Sequence, residues 1–226
     1  MDERVQQARE LYEHLVFTGD ATALTEADRT LDGVEADLAM ARGRVMHGRF
    51  LLRRDHDTTH PLPDPDELST FERAAQLYQS CGDTSGEAEA NFWIGCFYQV
   101  VQHNNDEALP ALARSLDLAS QAGDKVTMSE ALRHLGIAAH TGGRLDEARL
   151  CLEQSTSLRR ELKNLAGVSA NLIGLAYVAA GEGRRSDAEV LLDEAMELAQ
   201  ATGAARILQS IIEARADLVA PDESME

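Results

Sequence analysis

The chain has 226 residues, of which 44% are hydrophobic and 4% aromatic, and its formal net charge is −18. That apolar fraction is ordinary for a folded protein, but so acidic a surface argues against general nucleic-acid binding, which needs clustered Lys and Arg to release counterions. Ala and Leu dominate and aromatic residues are few, so helices are favoured over a sheet and the expected class is all-α.

Residues 2–17 carry Val5, Ala8, Leu11, Tyr12 and Leu15 at helical spacing and stop near Gly19-Asp20. This segment lacks the apolar core of a signal peptide, and no later run reaches membrane-spanning length, so a cytoplasmic protein is expected. The polar stretch Thr22–Asp32 suits a short helix starting at Thr25, and residues 1–32 together read as N-terminal capping helices. A longer helix is expected from about Gly33 to Arg54, with Val34, Leu38, Ala41, Val45, Phe50 and Leu51 as its apolar positions; Gly43 and Gly48 blur its register. Three prolines make residues 53–67 a loop, after which Pro65-Asp66-Glu67 is suited to opening a helix that runs to Ser80.

From there the chain repeats. Phe71, Leu112, Leu152 and Leu192, each central to a second helix, are spaced by 41, 40 and 40 residues. Eleven residues beyond three of these marks stand Gly82, Gly123 and Gly203, where a helix end needs a left-handed residue; the other has Lys163-Asn164, of which Asn can serve. The first helices carry a glycine of their own in Ile94-Gly95, Leu135-Gly136 and Ile173-Gly174. A glycine in mid-helix costs about 1 kcal/mol relative to Ala, so its return implies a neighbouring helix passing close by. The units read as 33–83, 84–124, 125–164 and 165–203, followed by a lone helix over 204–219 that reads as a C-terminal cap and an acidic tail over 221–226.

These residues resemble the tetratricopeptide repeat (TPR) superfamily, whose pattern sets a large residue, Leu-Gly and Tyr on a first helix and Ala, a large residue and Ala on a second. The unit from Met128 supplies Leu132, Leu135, Gly136, Ala148 and Leu152, with Ala139 in place of the tyrosine and Ser155 in place of an alanine. The unit before it supplies Ile94, Gly95, Tyr98, Ala108 and Leu112, and the unit after it Ile173, Gly174, Tyr177, Ala188, Leu192 and Ala195. A period of about forty resembles the long-repeat bacterial type. The resemblance implies an α-α superhelix, a solenoid of antiparallel helix pairs whose first helices line a groove for proteins or peptides.

On that geometry the groove is lined by Glu89, Phe92, Cys96 and Gln99, then by Glu130, Arg133, Ile137 and His140, then by Val168, Asn171, Leu175 and Val178. Arg133 offers a guanidinium fork to a carboxylate or carbonyl, and the Asn171 amide suits both groups of an extended backbone. Trp93, beside Phe92, Phe97 and Tyr98, reads as packing between repeats. His56, Asp57 and His60 have donor chemistry for a metal but sit in a proline-rich loop without supporting spacing, so no metal or cofactor is expected. Cys81, Cys96 and Cys151 lie in separate helical segments and read as reduced thiols.

No phosphate-binding glycine loop, nucleophile elbow or zinc-protease pair is present, so no catalytic residue is assigned. The expected function is that of a non-enzymatic, regulatory module binding a protein or an extended peptide, with a basic segment the easiest charge for so acidic a chain. A self-associating homodimeric scaffold is the alternative, followed by a receptor for a signal peptide or small molecule.

Overall fold

The computed structural model describes residues 2–56 and 62–219, leaving Asp57, His60 and the tail 221–226 outside the described residues. Among the described residues there are ten α-helices, one π-helical turn and no strand: α1 Glu3–Thr18, α2 Thr22–His56, α3 Glu67–Cys81, α4 Thr84–Cys96, the π-turn Phe97–Val101, α5 Asn105–Ala122, α6 Lys125–Thr141, α7 Leu145–Glu161, α8 Leu165–Gly181, α9 Arg185–Thr202 and α10 Ala205–Val219. The contacts divide the chain into two units, Met1–Asp124 and Lys125–Glu226, and within each unit consecutive helices pack on one another.

The ends of these helices follow from their side chains. Asp2, Asp83, Asn104 and Asn164 each accept a hydrogen bond from a backbone N–H in the first turn of the helix they precede. Gly82, Gly123 and Gly203 take positive φ at the ends of α3, α5 and α9, as their spacing predicts. After α7 it is Lys163, with φ 58°, that turns left-handed. Asn164 does not; its side chain is committed to capping α8.

In the first unit the polar stretch after Asp20 is no separate helix. Asp20 Oδ1 accepts from both the amide and the hydroxyl of Thr22, and one uninterrupted helix of 35 residues follows. Nothing between Thr22 and His56 lacks a backbone donor, and glycine alone does not break a helix held by its neighbours. Its buried face is also not the expected one. Ala36, Met40, Gly43, His47 and Phe50 point inward, whereas Leu38, Ala41 and Val45 are exposed and Val34 and Leu51 half-buried. The reason is Phe71 of α3: a β-carbon on Gly43 would lie 2.5 Å from its ring, so α2 and α3 meet where α2 has no side chain.

Trp93 of α4 completes this contact, stacked on Phe71 at 5.6 Å between centroids and edge-on to His47 at 5.4 Å. The fully buried Glu67 carboxylate is 2.8 Å from His47 Nδ1. The π-turn has a simple consequence for spacing. Gly95 precedes Leu112 by seventeen residues, one more than separates Gly136 from Leu152, and a wider turn absorbs the extra residue.

The second unit has a continuous core of α6 to α10 in which Leu152, Leu192 and Ile211 are buried. Phe71, Leu112, Leu152 and Leu192, the four marks of the repeat, are all at most 2% exposed. Ser155, a departure from the family's alanine, is fully buried and donates to the Ser129 carbonyl at 2.6 Å. Forty residues on from Ser129, Ser169 donates to the Ala195 carbonyl at the same distance, so each helix pair of this unit carries one buried hydroxyl link.

Candidate functional site

The groove of the second unit is set by which residues of α6 and α8 fit against the second helices. A β-carbon on Gly136 would lie 2.9 Å from Leu152 Cγ and 3.3 Å from the Ala148 carbonyl, so α6 needs its glycine there. Gly174 has a different neighbour. Its close contacts are the methyls of Leu152, on the preceding helix, rather than Leu192. The residue forty after Gly136 is Ala176, which is fully buried.

Aligning the helices on their glycines therefore misplaces α8 by two residues, and two residues turn a helix by about 200°. Val168, Asn171, Leu175 and Val178 consequently point inward, with exposures of 0%, 0%, 9% and 1%. Ala170, Ile173 and Tyr177 take the face that they were expected to occupy, and Tyr177 corresponds to Ile137 rather than to the packing tyrosine of the family.

A cavity of about 380 Å³ opens on this face. Arg133, Ile137 and His140 line it from α6, Ile173 and Tyr177 from α8, and Arg206, Ile207 and Ser210 from α10, with Leu152 beneath. Its branched aliphatic side chains are Ile137, Leu152, Ile173 and Ile207. The described residues lining it include two arginines and no carboxylate, against the sign of the chain as a whole. The His140 and Tyr177 rings stand 6.2 Å apart, and the Tyr177 hydroxyl donates to Asp217 at 2.8 Å. Partial burial, then the bond to Asp217, pushes the Tyr177 phenol up to about 12, so it stays a neutral donor.

Arg133 and Asn171, both expected to meet a ligand, meet each other. Arg133 Nη1 donates to the Ala170 carbonyl at 2.8 Å and to Asn171 Oδ1 at 3.1 Å. The same Asn171 oxygen accepts from Arg159 at 3.2 Å, while the Asn171 amide donates to Ser155 at 2.8 Å. Arg159, 3% exposed, also donates to Glu130 at 2.5 Å and to the Gly167 carbonyl at 2.9 Å. Burial pushes its guanidinium down, Glu130 opposes this, and an arginine so paired stays charged. Asn171 thus helps to hold Arg133 at the cavity wall, and Glu130 instead pairs with Arg159 behind it.

A tetratricopeptide repeat profile matches residues 86–161, from α4 through α7. Over that stretch the chain is similar to the tetratricopeptide repeat family. Among solved structures it is similar to BtubC (BKLC) from P. vanneervenii, with 17% identity over 89% of this chain and 90% of that one at a TM-score of 0.45. It is likewise similar to the MamA protein, with 18% identity over 90% and 96% of the two chains and a TM-score of 0.46. No curated protein sequence matches it.

The remaining groove residues lie in the first unit, around α4. Glu89 is ion-paired with Arg44 of α2. Phe92 and Cys96 are buried, Phe92 against the edge of Trp93, and Gln99 donates to Asn105 at 3.0 Å. A larger hollow of the second unit, about 460 Å³ between α9 and the end of α10, holds Arg185 and Arg215 against Glu189 and Asp193 and so has no charge preference. Arg206, Ile207 and Ser210 were not foreseen, because α10 reads from sequence as a cap without a partner; the signal was its position as a fifth first helix. Among the described residues no helix is long and apolar enough to cross a membrane, and no three His, Cys, Asp or Glu side chains gather as metal ligands.

Proposed function

We propose that this protein is a non-catalytic, regulatory binding module that holds an extended peptide of a partner protein in the cavity between α6, α8 and α10. TPR domains generally bind protein partners. What carries the specific reading is the composition of this cavity: Ile137, Ile173 and Ile207 offer an apolar slot, and Arg133 and Arg206 flank it without a carboxylate among the described residues lining it. Apolar walls with a few placed polar groups are the usual makeup of a binding pocket. The partner segment is therefore acidic, with an aliphatic side chain between carboxylates. A basic segment, which the net charge of the chain favours, would set like charges together here.

The test is an immobilised array of matched peptides with a central Ile flanked by Glu or by Lys, probed with the full chain. Preferred capture of the Glu series is expected, together with a loss of about tenfold in affinity when Arg206→Glu reverses one cation. Ile173→Asp should abolish capture while circular dichroism stays unchanged. Equal capture of both series would refute the charge assignment.

A further inference from the structure

Helix α2 displays four of its leucines and a valine to solvent. Leu24, Leu31, Leu38, Val45 and Leu52 recur every seven residues along it, and each is 42–55% exposed. Single exposed leucines need no explanation, but a heptad stripe does. An apolar side chain at every seventh residue keeps facing a neighbour only where two helices wind about each other, because a straight helix drifts about 20° per heptad. Four residues after each of the first four stand Asp28, Glu35, Arg42 and Arg49, all exposed, which fill the second seam position with charge.

That charge is divided along the helix. From Thr22 to Asp37 there are five carboxylates and one arginine, and from Leu38 to Arg54 five arginines and no carboxylate. Glu35 is held by Arg73 at 3.0 Å on the surface, whereas Asp28, Arg42 and Arg49 make no ion pair among the described residues. Two such helices side by side in parallel would set like charges together. Antiparallel, about a two-fold axis at Leu38, the acidic half of each lies along the basic half of the other, with Leu24 beside Leu52 and Leu31 beside Val45. A two-fold axis makes the contact isologous and closed. Its length, from Leu24 to Leu52, is about 42 Å at the rise of an α-helix.

We infer that α2 is a homodimerisation helix, pairing antiparallel with α2 of a second copy of this chain along Leu24, Leu31, Leu38, Val45 and Leu52. This surface is separate from the peptide cavity, so either can fail without the other.

Sedimentation equilibrium of the full chain should show a mass that rises with concentration from 24.6 kDa toward twice that value. A single 24.6 kDa species at every concentration overturns the inference. Leu38→Glu with Val45→Glu changes only exposed positions and keeps good helix formers; its helix content should be unchanged and its dimer dissociation constant raised by about a hundredfold. A dimer that survives this change forms elsewhere. Arg42→Glu with Arg49→Glu should also dissociate the dimer, and adding Asp28→Arg and Glu35→Arg should restore it; absence of rescue overturns the charge pairing. For orientation, Leu24→Cys mixed with Leu52→Cys should cross-link as a heterodimer, and preferential linking of Leu24→Cys to itself would mean a parallel arrangement and overturn the antiparallel one.

Discussion

Helices α2 and α8 are both rich in aliphatic residues and use them in opposite ways. In α8, Val168, Leu172, Leu175, Ala176, Val178 and Ala179 are buried, and what remains half-covered is the strip Ala170, Ile173, Gly174 and Tyr177 beside the cavity. In α2 Leu24, Leu31, Leu38 and Leu52 face out, and the inward line is Ala36, Met40, Gly43, His47 and Phe50. The difference lies in what each helix packs against. A wide aromatic ring on α3 takes up the space that α2 vacates with a glycine, whereas α8 gives up a side chain only at Gly174, against the Leu152 methyls, and fills its other inward positions with aliphatic residues. Apolar size therefore assigns a face only when the distance to the neighbour is known.

The largest expected effect contrasts two leucines. Leu152→Ala empties a fully buried site and should lower stability by about 3–5 kcal/mol in urea unfolding. Leu38→Ala removes a side chain that is 52% exposed, and in the monomer its effect should stay within about 0.5 kcal/mol. Comparable losses at both sites would erase the distinction between the two helices. Next comes a pair within α2 itself. A β-carbon on Gly43 meets the Phe71 ring, so Gly43→Ala should cost about 1–3 kcal/mol. At Gly48 nothing lies within 4 Å, so Gly48→Ala should raise the melting temperature, through a gain of about 0.5–1 kcal/mol. Equal shifts of one sign would mean that Phe71 does not set the approach of α3.

What sequence disclosed, and what it hid, follows the same physics. Phe71, Leu112, Leu152 and Leu192 were legible as a repeat because a large residue at a fixed interval has one role, filling the space between helices. The register of α8 was not, since Gly174 imitates Gly136 in sequence while Ala176 does the packing; counting sixteen residues back from Leu192, as from Leu152 to Gly136, selects Ala176. Arg133, Ile137 and His140 could be placed at the cavity because α6 keeps the interval. Ile173 and Tyr177 were hidden by the slip, and Arg206 by the reading of α10 as a cap. Nor does an inward line containing Gly43 and His47 look like a core until Phe71, Trp93 and Glu67 are beside it.

The smallest effect tests the one wet strip of α8. Partial burial and Asp217 push the Tyr177 phenol up to about 12, above the value of about 10 for an unfolded tyrosine. A raised acid favours its neutral form in the fold, so its contribution to stability is complete below about pH 10 and is lost as pH rises toward 12. Tyr177→Phe removes the hydroxyl together with its bond to Asp217. At neutral pH this should cost about 0.5 kcal/mol, near the low end for a hydrogen bond partly open to water. Between pH 10 and 12 the parent should lose stability relative to Tyr177→Phe, because only the parent has at this site a phenol whose ionisation burial and Asp217 disfavour; Tyr78, whose phenol is also raised by burial, is common to both and cancels. Stability curves that stay parallel across that window would show that neither burial nor Asp217 holds the phenol in its neutral form, and would leave Tyr177 at the cavity wall as an apolar ring alone.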